Sequence, residues 1–152
     1  MRYIALLIIS ALLSYTAVKA DDLPNPKASI ICGKWISSTK DLIVEIYPYQ
    51  NTFRAKIVWF SGGVTKAKPM ETMLDTKNPN PNLRNRRVIG LNVVEGIVYN
   101  ARSKTWENGK IYEVQSGKTW DAAAHLDKDG TLKVKGYWHV KLLGKTLTFK
   151  RV

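Results

Sequence analysis

The chain has 152 residues, with 24 Lys+Arg against 12 Asp+Glu, five Trp, seven Tyr, two His and one Cys. That length holds one domain, and 45% hydrophobic with 24% charged residues is the composition of a folded protein rather than a disordered one. A single cysteine excludes an intramolecular disulfide framework, and two histidines give no basis for a zinc site or other metal centre.

Residues 1–20 have the three parts of a secretory signal. Arg2 supplies the positive start, an apolar run covers 4–13, and Val18-Lys19-Ala20 places small residues where a signal peptidase reads. The run is shorter than the about 20 residues that span a bilayer, so the segment is expected to be cleaved and no membrane span to remain. Ile31 precedes Cys32 where lipid attachment needs a small residue, so a lipoprotein is not expected. Export to the periplasm or beyond the cell follows. The mature part loses only Arg2 and Lys19 and stays strongly basic. In that setting the charge points to an anionic envelope component, or serves solubility alone; nucleic acid is not an expected partner. Cys32, beside Ile30 and Ile31, is either a buried thiol or an intermolecular link.

Residues 21–31, with Pro24 and Pro26, form an expected extended leader, and 32–152 form one domain. Apolar residues there recur with period two, and no stretch of a dozen has a good helical period. Strands are expected over 32–38, 41–49, 52–60, 88–98, 110–114, 117–126, 131–138 and 145–152. Gln50-Asn51, Asn108-Gly109, Asp129-Gly130 and Leu143-Gly144 supply turns. On the third strand Phe53, Ala55, Ile57 and Trp59 form a dry face against Arg54 and Lys56; on the fourth, Gly96 marks a bulge or bend. Residues 61–87 break the rhythm with Gly62-Gly63, Pro69, Pro79 and Pro81, allowing one helical turn within 81–86. Loops of such length in a compact domain tend to be functional.

The predicted fold is therefore all-β: a small eight-stranded antiparallel up-and-down β-barrel with one long Pro-rich loop, closed so that no sheet edge is exposed. A flat sandwich is the competitor, but its Greek-key links would need more long crossovers. A barrel of this size is either filled by side chains or holds one small ligand.

Gly33-Lys34-Trp35 opens the first strand, and Arg151 stands at the end of the last. This resembles the lipocalin (calycin) arrangement, in which an Arg of the final strand packs across the indole of a Gly-x-Trp. A second likeness is more specific. The segments Asp75-x-x-Asn78-Pro79-x-Pro81-x-Leu83-Arg84-x-Arg86, Ile89-Gly90-Leu91, Gly109-Lys110-Ile111-Tyr112, Ser116-Gly117-Lys118-Thr119, Gly136-Tyr137 and Leu142-Leu143-Gly144-Lys145-Thr146 join those two ends. Together they resemble the bacterial exported family known as domain of unknown function 2147. The resemblance implies a lipocalin-like barrel in the bacterial envelope and attaches no activity to it.

Two constellations stand out as candidate sites. Arg84, Arg86 and Arg87 lie on a loop stiffened by Pro79 and Pro81, where guanidinium forks suit a carboxylate or phosphate. Asp75 and Asn78 would orient those arginines, or the loop would plug one barrel end with Arg84 paired internally. Aromatic residues form the second: Trp59, Trp120 and Trp138, if inward, would surround the small Ala122 and Ala124 and leave room for an apolar guest; the alternative is a solid core. No catalytic constellation emerges. His125 and His139 lack ligand spacing, no Gly-x-Ser-x-Gly elbow is present, and Glu113 with Asp121 is the one carboxylate pair to consider. Tyr99, Tyr112 and Tyr137 read as barrel aromatics. The expected function is a non-enzymatic envelope protein, without cofactor. It binds a small apolar or amphipathic, anionic-headed ligand inside the barrel, with ligand contacts at Arg84, Arg86, Trp59, Trp120, Trp138 and Asn78 and closure at Gly33, Trp35 and Arg151. The alternative is a filled barrel that docks on an envelope protein or anionic polymer through basic faces such as Arg54 and Lys56, or Lys133 and Lys135.

Overall fold

Alternating apolar and polar residues give each strand one face to bury, and in this chain eight such faces turn toward one axis. The computed structural model describes residues 26–138 and 144–152. A helical turn, α1 (Pro26–Ser29), precedes β1 (Gly33–Ser37), β2 (Leu42–Tyr49), β3 (Thr52–Phe60), β4 (Asn92–Asn100), β5 (Thr105–Glu113), β6 (Lys118–Leu126), β7 (Leu132–Tyr137) and β8 (Gly144–Arg151). Each strand pairs antiparallel with the next, and β8 returns to β1, so the sheet is a closed up-and-down barrel. Residues 1–25 and 139–143, which hold the expected signal segment, the first five residues of the leader, His139 and Leu143, lie outside the described residues.

The first and last strands meet with Trp35 opposite both Val44 and Arg151. The Trp35 indole is buried, donates to the Ile31 carbonyl at 2.8 Å, and has the Arg151 guanidinium carbon 4.3 Å from its ring centre. Arg151 also donates to the carbonyls of Cys32 and Ile30, stapling the start of the barrel to its end. Gly33 is needed there: at φ +123° a Cβ would stand 2.6 Å from an Arg151 terminal nitrogen.

Residues 26–29 depart from the expected extended leader. They curl into α1, which covers the barrel base, where Ala28 and Ile31 are buried and the Trp106 indole donates to the Ala28 carbonyl at 3.0 Å. Asn108-Gly109 is not a turn either. It sits inside β5, in a bulge between the pairs Trp106–Ala124 and Gly109–Ala122, with Asn108 at φ +63°. A Cβ on Gly109 would fall 2.9 Å from that of Ile97, so the dipeptide serves close strand approach. The actual β4–β5 turn is 101–104, where Asn100 accepts from the Arg102 backbone. Residues 88–91 belong to the loop, although Gly90 and Leu91 bond the backbone of Ile57. Gly96, at φ +68°, lies where the β3–β4 register shifts, as a bulge should.

Inside the barrel the core is nearly solid. The enclosed space measures about 60 Å³ and is lined by apolar side chains including Ile31, Val44, Ala55, Ile97, Ala124 and Phe149. That is well below the roughly 150 Å³ that admits one benzene.

Candidate functional site

The long loop between β3 and β4 is a structure in its own right. Leu74 bridges Arg87, Asp75 N–H donates to the Arg86 carbonyl at 3.0 Å, and Val88 N–H donates to the Met73 carbonyl at 2.9 Å. These contacts pinch 73–88 into a side arm whose tip carries the one-turn helix Pro81–Leu83, capped by the Asn80 side chain. Asp75 is fully buried at the neck of the arm. Its carboxylate accepts from Arg86 Nε at 2.9 Å, Asn78 Nδ2 at 2.8 Å and the Tyr112 hydroxyl at 2.6 Å. A buried carboxylate is tolerated only with such partners. Because Tyr112 belongs to β5, the last bond ties loop to barrel wall. Burial, then the hydrogen bond and charge of Asp75, push the Tyr112 hydroxyl above its usual range, so it stays a donor.

The base of the arm packs onto the barrel core, with Val88 buried in the core cluster and Met73 against it, while its exposed tip lies beside the outer wall and bounds a groove of about 470 Å³. Its loop side is Asn78, Pro79, Leu83, Arg86 and Leu91; its wall side is Asn92 and Glu95 of β4, Lys110 and Tyr112 of β5, and Thr119 of β6. Lys110 and Tyr112 flank Ile111, which lines the interior, so strand alternation turns them outward. The β5–β6 turn completes the fit: Gly117 lies so close to the arm that a Cβ would stand 1.9 Å from the Lys77 carbonyl oxygen.

The structure gathers some predicted residues and scatters others. Asn78 and Arg86 line the groove, and the Arg86 guanidinium carbon is 5.5 Å from the Tyr112 ring centre. Arg84 braces the arm instead, donating from Nε to the Asn78 carbonyl at 2.7 Å. Trp59 does not face inward. An extra residue opposite Ile43–Val44 shifts the β2–β3 register, placing Trp59 beside Ile43 on the outer face, 38% exposed. Trp120 and Trp138 form an edge-to-face pair at 6.0 Å near the end of the barrel where the long loop emerges. Trp138 is 62% exposed, so this pair rims the barrel rather than lining a cavity. The expected inward aromatic cluster is thus absent, and Trp106, not singled out in the sequence, is the deeply buried indole with Trp35.

Glu113 and Asp121 are not a pair: the register sets them opposite Lys118 and Lys110, and Asp121 bonds the Lys110 ammonium. His125 lies 3.0 Å from Asp127. Among the described residues no cluster of His, Cys, Asp and Glu could hold a metal ion, and no helix is long and apolar enough to cross a membrane. Cys32 is half-buried and free, and burial pushes its thiol up, against the pull of Arg151. Several expected basic surface residues are already engaged: Arg54 with Glu95 at 3.7 Å, Lys56 with Glu45 at 3.0 Å and Lys133 with Asp127 at 2.9 Å.

A family model described as "Uncharacterized protein conserved in bacteria (DUF2147)" matches residues 33–151, from the first strand through the last. The chain belongs to that family. Among solved structures, the DUF2147 barrel is similar to HP1028 of the human pathogen Helicobacter pylori, described as belonging to the lipocalin family. Identity is 25%, the TM-score is 0.67, and the match covers 80% of this chain and 82% of that one. No curated protein matches the DUF2147 chain. Its fold is thus lipocalin-like, a fold compatible with small-ligand binding.

Proposed function

We propose that the protein is a non-enzymatic binding protein of the bacterial envelope whose small amphipathic ligand lies in the groove between the loop arm and β4–β6, not within the barrel. The observation that carries this reading is the contrast in space: about 60 Å³ inside against about 470 Å³ in the groove. A drug-sized ligand needs several hundred cubic ångströms, and an amphipathic one needs apolar and polar surface together, which this groove offers in nearly equal measure. Pro79, Leu83, Leu91 and the Tyr112 ring supply the apolar part; Asn78, Asn92 and Thr119 supply hydrogen-bonding groups. The Gly33–Trp35–Arg151 contact closes the sheet on the opposite side of the barrel from that wall. The signal-like residues 1–20 support an envelope address.

Native mass spectrometry of the protein purified from its own cell envelope tests this. A bound adduct is expected. Thr119→Trp, which fills the groove at an exposed position, should remove it, and Ala124→Val, which fills the interior, should leave it. The opposite pattern would return the ligand to the barrel.

The solid core also favours a second reading, a scaffold that docks on an anionic polymer or envelope protein. With Arg54, Lys56 and Lys133 already paired, Arg84 and Arg87, which form no ion pair among the described residues, would carry that contact. Retention on envelope fractions would then fall steeply with salt.

A further inference from the structure

Resting on the groove reading, we infer that the groove holds an oxyanion, the phosphate or carboxylate end of its ligand, between the terminal nitrogens of Arg86 and the ammonium of Lys110. The Arg86–Asp75 pair is asymmetric. Its carboxylate side chain has no exposed surface, whereas the guanidinium side chain is 36% exposed and lines the groove. The pair is neutral in sum, but only its cation is presented. The Lys110–Asp121 pair leans the same way, with side chains 64% and 34% exposed. Glu95, the one acidic residue of the lining, lies opposite Lys110 on the wall and is neighboured by Arg54.

Arg86 is also held ready. Among the described residues its one side-chain hydrogen bond uses Nε, so the N–H groups of both terminal nitrogens are left for a ligand. That bond and the Tyr112 ring below fix the plane of the fork, and a fixed fork loses little rotamer freedom when it takes two oxygens of a carboxylate or phosphate. Lys110 donates one bond to Asp121 and has two further N–H groups. Arg84 and Arg87 on the same arm add positive potential without lining the groove themselves.

Calorimetric titration with octyl phosphate, octanol and inorganic phosphate tests the inference. Octyl phosphate should bind; Lys110→Gln, at an exposed site, should weaken it about tenfold, the scale of one charge-assisted hydrogen bond. Arg86→Lys keeps a cation beside Asp75 but removes the fork and should weaken it at least as much. If octanol binds as tightly as octyl phosphate and Lys110→Gln changes nothing, the oxyanion site is overturned while the groove stands. Failure of both octyl compounds to bind would sink the groove as well. Inorganic phosphate binding as tightly as octyl phosphate, and weakened by Lys110→Gln, would uphold the site and identify a free oxyanion, not an amphiphile's head, as its ligand.

Discussion

Asp75 and Tyr112 set the finest grain of this molecule. Three donors converge on one buried carboxylate, and each comes from a different place: the arm's outgoing limb, its returning limb and the barrel wall. Asp75→Asn keeps the shape but turns one acceptor into a donor facing donors. Loss of about 2–4 kcal/mol is expected, read from urea unfolding. The same variant has a second readout in the Tyr112 hydroxyl. Because its folded value is raised above the ordinary one near 10, its contribution to stability is complete below that pH and is lost as pH rises through the folded value. Asp75 supplies part of the rise, so Asp75→Asn should move the Tyr112 titration downward, observable in its ring resonances.

At the scale of elements, bulges and glycines decide what alternation alone cannot. Gly117 takes φ +69° and meets the arm backbone, so Gly117→Ala should cost about 1–3 kcal/mol and loosen amide protection across 75–88 in hydrogen exchange. The strands were legible because period-two patterning survives in a barrel wet on one side, and the Gln50-Asn51 turn because Tyr49 and Thr52 must pair directly. Within the strands, what escaped reading has one physical cause. Each bulge inserts a residue and reverses the in-out parity beyond it; Trp59 appeared inward for that reason, and Asn108-Gly109 looked like a hairpin turn. The site was half legible. Arg86, Asn78 and Asp75 showed in the loop's composition, but Tyr112 read as a barrel aromatic and Lys110 and Thr119 carried no site signal, because only the arm folded against the wall brings them to the groove.

For the molecule as a whole, closure between β1 and β8 matters most. Arg151→Ala removes a guanidinium stacked on Trp35 and two bonds to backbone carbonyls, so it should lower stability by about 1–3 kcal/mol. A fall in the urea midpoint with early exchange of the amides of 30–35 would register it; an unchanged midpoint would mean the eight-strand cylinder stays shut without its staple.

That staple joins residues 119 and 121 positions apart in the chain. Contacts so distant in sequence form late in folding, after the local hairpins. Until β8 docks, β1 has one neighbour instead of two, and Trp35 lacks the cation that covers it. The sheet is an open ribbon up to that step and a locked cylinder only after it.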